Sequence, residues 1–189
     1  MFKKQTDNRV AVFFADGCEE IEGLTVVDLL FRAGIPCDMV SVSDSYQVTS
    51  SHEVAFLCNK LISGVDINAY AMLVLPGGIP GTPNLAATDV LMQAVDTFAA
   101  QGKPLAAICA APSIYAERGL LSGVRATANP GFQHVLVEKG ALLSKDPVVV
   151  DGPFITSQGA GTAVAFGLEI VRYFLGDAAV LRVRDGIAL

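Results

Sequence analysis

The chain has no apolar run approaching the ~18–20 residues that a membrane-spanning helix needs. A membrane-embedded protein is therefore not expected. Basic residues are few and scattered: 13 Lys and Arg face 19 Asp and Glu, for a net charge of −6 and no basic cluster. Phosphate-backbone binding relies on concentrated positive charge, so nucleic acid is not expected as the primary ligand. The four cysteines, at 18, 37, 58 and 109, include no C-x-x-C pair and sit among apolar residues. This pattern argues against a disulfide framework and suits reduced thiols in the cytoplasm. Met1–Arg9 carries two lysines but no long apolar segment after them, so it does not read as a signal peptide. No His, Cys and carboxylate residues recur at metal-ligand spacing, so no metal is expected. Repeats, low-complexity tracts and linkers are missing as well.

What is present is apolar. Hydrophobic residues make up 52% of 189 positions and charged residues 17%, which excludes disorder. A chain of this size fits one domain, 1–189, and buries about 70% of its unfolded surface. Apolar runs alternate with amphipathic stretches. Arg9–Phe14, Pro36–Val42, Ala71–Leu75 and Pro104–Ile108 read as strands, with further strands near 124–128, 148–151 and 153–157. Helical spacing of Ile21, Leu24, Val27, Leu30 and Phe31 predicts a helix over Glu19–Arg32, closed by Gly34. Other helices fall at about 88–101, from Pro112, and near 131–138 and 162–175, while 177–186 could add one more. The stretch 46–58 alternates loosely and could form a short hairpin. Buried strands alternating with helices indicate a parallel sheet covered on both faces and doubly wound. Ligands then bind beyond the carboxyl ends of the strands, which singles out 15–22, 75–79, 108–112, 128–130 and 156–162.

Cys109 ends an apolar strand and is followed by Ala110, Ala111 and Pro112 before a helix. Small residues around a nucleophile permit the sharp strand-to-helix turn of a nucleophile elbow. A helix N-terminus there favours a thiolate. Such a turn predicts disfavoured φ/ψ at Cys109 and a sulfur near the Gly78 N–H. The competing reading is a packed structural thiol, the commoner fate of a free cysteine and the one expected for Cys18, Cys37 and Cys58. Pro76-Gly77-Gly78 ends a neighbouring strand, so the amides of Gly78 and Ala110 could form an oxyanion hole. Glu19, Glu20 and Glu22 crowd one helical turn. They could all complement the dipole, or one could face the cleft, stay protonated and act as an acid or hydrogen-bond donor. Gly159-Ala-Gly-Thr162 opens a helix and could hold an anion, or serve simply as its entry. His52 and His134 are read as surface or satisfied polar residues.

Four of these segments together resemble the ThiJ/PfpI superfamily, in the branch of the Parkinson's-disease protein deglycase and its bacterial relatives. They are Ala15-Asp-Gly-Cys-Glu-Glu-Ile-Glu22, Val74-Leu-Pro-Gly-Gly78, Ala106-Ala-Ile-Cys-Ala-Ala-Pro112 and Thr156-Ser-Gln-Gly-Ala-Gly-Thr-Ala163, in family order and at family spacing. The resemblance implies a flavodoxin-like α/β fold, with a doubly wound, mostly parallel sheet and helices on both faces, as in class I glutamine amidotransferases. It also implies a homodimer. Cys109 takes the place of the reactive cysteine, Glu22 that of the carboxylic acid bonded to it, and Gly78 and Ala110 those of the flanking N–H donors. Gly77, Asn129 and Gly159 fall where substrate would bind. Members of the branch are described as glyoxalases, as deglycases of early glycation adducts and as redox-responsive chaperones.

That resemblance leads to a cofactor-free enzyme in which Cys109 forms a hemithioacetal with a 2-oxoaldehyde such as methylglyoxal, or with its adducts. The alternative is a redox sensor or holdase with an oxidisable Cys109. Two departures bear on the activity. Asn129 stands where some relatives carry a histidine, so no imidazole can shuttle protons there. Ala110 replaces the histidine that follows the cysteine in the intracellular-protease branch, which disfavours a peptidase. Glutamine amidotransferases need a downstream His-x-Glu, and His134-Val135-Leu136 does not supply it.

Overall fold

Val10–Phe14 forms β1, and none of its five side chains reaches solvent. The computed structural model that shows this describes residues 2–189. After β1 come α1 (Glu20–Ala33), β2 (Cys37–Ser41), a hairpin of β3 (Gln47–Thr49) and β4 (Ala55–Leu57), and the two-residue β5 (Lys60–Leu61). Next are β6 (Met72–Leu75), α2 (Gly81–Ala86), α3 (Asp89–Ala100), β7 (Leu105–Ile108) and α4 (Pro112–Glu117). The chain finishes with β8 (Arg125–Ala126), α5 (Gln133–Glu138), β9 (Leu142–Leu143), β10 (Val148–Asp151), β11 (Phe154–Ser157) and α6 (Ala163–Gly186).

Seven strands form the main sheet in the order β10-β11-β7-β6-β1-β2-β5. Every pairing is parallel except that of β10 with β11. The period of two sorts the strand residues onto two faces. Ala11, Phe13, Leu73, Leu75, Leu105 and Ala107 join α3 and α4 in one core. Val10, Val12, Phe14, Met72, Val74, Ala106 and Ile108 join α1 and α6 in the other. Burial on both faces is why these strands read as unbroken apolar runs. From β1 the chain moves outward to β2 and β5, whereas from β6 it moves the other way, to β7 and β11. The carboxyl ends of β1 and β6 therefore flank the topological switch point.

Helix α1 starts where its sequence signals place it. The Glu19 carboxylate accepts the Ile21 N–H, and the Gly34 N–H closes the far end on the carbonyls of Leu30 and Phe31. The 46–58 stretch is the antiparallel β3–β4 hairpin. The final helix kinks at Gly176, whose φ of 72° is not helical, and the kink separates the two helical segments read from the sequence. Three elements carried no periodic signal. α2 is too short, and β5 and β9 each pair through two residues only. The 124–128 strand is confined to Arg125–Ala126, and α5 begins at 133 because the Phe132 and Gln133 amides turn back to the Asn129 carbonyl.

Leu73 is fully buried at the middle of this sheet. Leu73→Ala is expected to cost about 2–5 kcal/mol, from lost burial and the cavity left behind. A fall in the urea midpoint at unchanged m-value checks it, and a loss below about 1 kcal/mol would contradict a rigid core at β6.

Candidate active site

The ends of β1, β6, β7 and β11 bring the site together. Cys109 follows β7 with φ of 66°, a left-handed conformation that a residue with a Cβ rarely adopts. Holding it costs of order 1–3 kcal/mol, which the neighbouring hydrogen bonds offset. The Cys109 N–H donates to the Ser157 carbonyl at 2.9 Å, and the Cys109 carbonyl accepts the Asn129 N–H at 2.9 Å. Beyond the turn, the Ser113 hydroxyl and N–H both donate to the Ala110 carbonyl, at 2.7 and 3.0 Å. The thiol is thus lifted clear of the sheet at the start of α4, and it is only half-buried.

Glu22 lies in the first turn of α1 and is 1% exposed. Its Oε2 accepts the Gly77 N–H at 2.8 Å. Gly77 has to be glycine here. A Cβ on it would lie 2.6 Å from the Cys109 Cβ and 2.8 Å from Glu22 Oε2. Gly78 follows at φ of +92°, and a Cβ there would meet the Glu19 nitrogen at 2.4 Å. This pair of glycines lets the end of β6 press between the carboxyl and the thiol. The amides of Gly78 and Ala110 act on the sulfur and favour its charged form.

Asn129 and Gly159 complete the far wall. A methyl carbon on Gly159 would stand 3.5 Å from Asn129 Nδ2, 3.8 Å from Glu22 Oε1 and 3.9 Å from Cys109 Sγ. The seven residues singled out from the sequence therefore converge. Two of them act differently from expectation. The Gly77 amide serves Glu22 and is not free for substrate. The Gly159 N–H donates to Thr162 Oγ1 at 3.0 Å, so the 159–162 turn offers no free amide of Gly159 to an anion. Sequence reasoning missed Ser157 as the support of the elbow; its position at a strand end was the one available signal.

Burial pushes the Glu22 carboxyl up to about 7, against the Cys109 and Gly77 hydrogen bonds that pull it down. Burial also pushes the Cys109 thiol up to about 12, the Glu22 carboxylate adding to the rise, while the Gly78 and Ala110 amides pull it down. The low thiol pKa expected from the helix N-terminus is corrected accordingly: desolvation and the neighbouring carboxylate oppose it. Glu22 decides the balance. With Oε2 accepting from Gly77, a proton on Glu22 belongs on Oε1 and makes it a donor in place of a repelling anion. The two groups titrate as a pair around one shared proton.

His52 is exposed, as expected, but it is not isolated. Its Nδ1 lies 3.1 Å from Glu20 Oε2 and 3.5 Å from Glu19 Oε2, and both carboxylates raise its pKa, Glu20 foremost. Among the described residues these three groups form a cluster able to hold a metal ion, which sequence spacing did not show because the β3–β4 turn brings in His52. The ion pair already accounts for their proximity.

A protein-family model described as the DJ-1/PfpI family matches residues 8–173. The chain is 36% identical over 169 residues to "Protein DJ-1 homolog B" of Arabidopsis thaliana, covering 89% of this chain but only 38% of that relative's length. It is 32% identical over 170 residues to "Glutathione-independent glyoxalase DJ-1" of Schizosaccharomyces pombe, covering 86% of this chain and 89% of the relative. Among solved structures, "Toxoplasma gondii DJ-1, oxidized" superposes with a TM-score of 0.90 at 31% identity, covering 96% of this chain and 98% of that one.

The shared proton makes a prediction with a change of sign. Below pH 7 Glu22 is a donor, so Glu22→Ala should slow iodoacetamide alkylation of Cys109, by about tenfold at pH 6 for a hydrogen bond near 1.4 kcal/mol. Above pH 7 the wild-type rate should level off, because each further thiolate competes with an ionised Glu22. The variant's rate should keep climbing and overtake it. Peptide mapping across pH 5–10 reads both limbs, and a variant faster at every pH would show that Glu22 never donates.

Proposed function

This chain belongs to the DJ-1/PfpI family, and on that premise we propose that it is a cofactor-free, cysteine-dependent enzyme acting on 2-oxoaldehydes such as methylglyoxal or their early adducts. The carrying observation is the strained Cys109, at φ of 66°, facing a buried carboxyl whose pKa of about 7 suits proton transfer at neutral pH.

The Cys109 sulfur attacks the aldehyde carbon C1 as Glu22 takes the thiol proton. The amides of Gly78 and Ala110 stabilise the oxygen on C1 until that proton reaches it. Glu22 then removes the hydrogen of C1 and a proton is returned to C2 through an enediol. C1 is oxidised to the thioester level while C2 is reduced to an alcohol. Water cleaves the C–S bond, releasing the 2-hydroxy acid and the thiol. One aldehyde and one water give one hydroxy acid, with no external oxidant or reductant.

A second reading keeps the same thiol as a redox sensor or holdase. The donors around the sulfur would equally hold the oxygens of a sulfinate, and the solved relative from Toxoplasma gondii is an oxidised form. For assembly, the reading is a homodimer covering the solvent face of α1, where Ile21 and Phe31 are each about half exposed. Among the described residues no helix is long and apolar enough to cross a membrane, and free thiols on all four cysteines support a cytoplasmic setting.

Purified protein should form lactate from methylglyoxal without glutathione or metal. Cys109→Ser should abolish product, and Glu22→Gln should lower kcat by about 10²–10⁴, the range for a lost acid–base group. Absence of lactate, together with selective gain of two oxygens at Cys109 under mild peroxide, would replace the enzyme with the sensor.

A further inference from the structure

The Asn129 carboxamide has no task in the reaction as written, yet it faces the reacting groups. It sits in the turn after β8. Its own N–H is tied to the Cys109 carbonyl, and the Gln133 amide donates to the Ala128 carbonyl at 3.0 Å, bracing the turn from behind. Asn129 Oδ1 accepts the Gly131 N–H at 3.0 Å. That bond settles the orientation of the amide, because with Oδ1 turned toward Gly131 the Nδ2 must turn the opposite way. On that opposite side lies Gly159, and Nδ2, Glu22 Oε1 and Cys109 Sγ stand 3.5, 3.8 and 3.9 Å from where a Cβ on Gly159 would be, so the three groups converge on the edge of that glycine. Among the described residues no carbonyl or carboxylate accepts from Nδ2.

Resting on the aldehyde chemistry above, we propose that Asn129 is the specificity-determining residue for the second oxygen of the substrate. Its Nδ2 donates to the C2 carbonyl oxygen, next to the carbon that Cys109 attacks. A 2-oxoaldehyde fills all three contacts, whereas a plain aldehyde leaves the amide unpaired. A site built to bond a substrate oxygen discriminates against the analogue lacking it. The contact strengthens as charge builds on that oxygen in the enediol stage. A carboxamide neither gains nor loses a proton in the working pH range, so it holds the oxygen but cannot share the proton transfer. Movement of hydrogen from C1 to C2 falls to Glu22 alone.

Reversible protection of Cys109 against iodoacetamide reads this contact without requiring turnover. Methylglyoxal and propanal have the same number of carbons and differ in the 2-oxo group. Asn129→Ala should weaken protection by methylglyoxal about three- to tenfold, the worth of one neutral hydrogen bond, and leave protection by propanal unchanged. Asn129→Asp, which presents only acceptors, should weaken methylglyoxal further. In the wild type the ratio of the two protection constants should hold constant from pH 6 to 8. In Asn129→His it should change as the imidazole titrates near its usual ~6.5. Equal weakening for both aldehydes would reduce Asn129 to a support of the elbow, and no weakening would remove it from the site; either overturns the proposal. Protection with this selectivity but no lactate would refute turnover and sustain the contact. Absence of protection by either aldehyde in the wild type would overturn both.

Discussion

One buried hydrogen bond, from the Gly77 amide to Glu22 Oε2, governs the site. It joins the end of β6 to the first turn of α1 and fixes one carboxyl oxygen, so that the other is left for the thiol. The approach that makes it possible leaves no room for a Cβ between Cys109 and Glu22. Because the carboxyl is held where water is scarce, its proton affinity rises to about 7, and the neighbouring thiol answers to that proton. An exposed Glu22 would be an ordinary anion at neutral pH, and the left-handed turn at Cys109 would then present a thiol without a switch.

The strained elbow and the carboxyl supply each other's deficiency. The turn puts sulfur beside two amides, but burial costs more than those amides return while Glu22 is charged. A protonated Glu22 converts the same crowding into a hydrogen bond. The chemistry proposed for this site depends on this conversion, whether the electrophile is a carbonyl carbon or a peroxide oxygen.

Much of the fold was legible because β1, β6 and β7 are buried on both faces and therefore stand out as apolar runs. The elbow at Cys109 was legible for a related reason: a strand running straight into small residues and a proline leaves few conformations open. The choice among three neighbouring glutamates was not. Glu19 caps α1, Glu20 pairs with His52, and Glu22 points inward. Only the rotation of the helix against the sheet distinguishes them, and the resemblance, not the composition, selected Glu22. The proton affinities were beyond the sequence, since they depend on how closely separate strand ends approach. Short elements such as α2 and β5 escaped because one turn, or two paired residues, holds no period to detect.

The edges of the main sheet bear on how this apolar chain behaves when crowded with its own copies. On one side β5 exposes only two residues, one of them Lys60. On the other, β10 turns antiparallel, and its Asp151 carboxylate accepts the Arg125 N–H at 2.8 Å. Neither edge presents a long, flat row of unpaired amides on which another strand could template. The parallel centre, rich in valine, leucine and isoleucine, is thereby kept away from edge-to-edge polymerisation for as long as its outer strands stay in place.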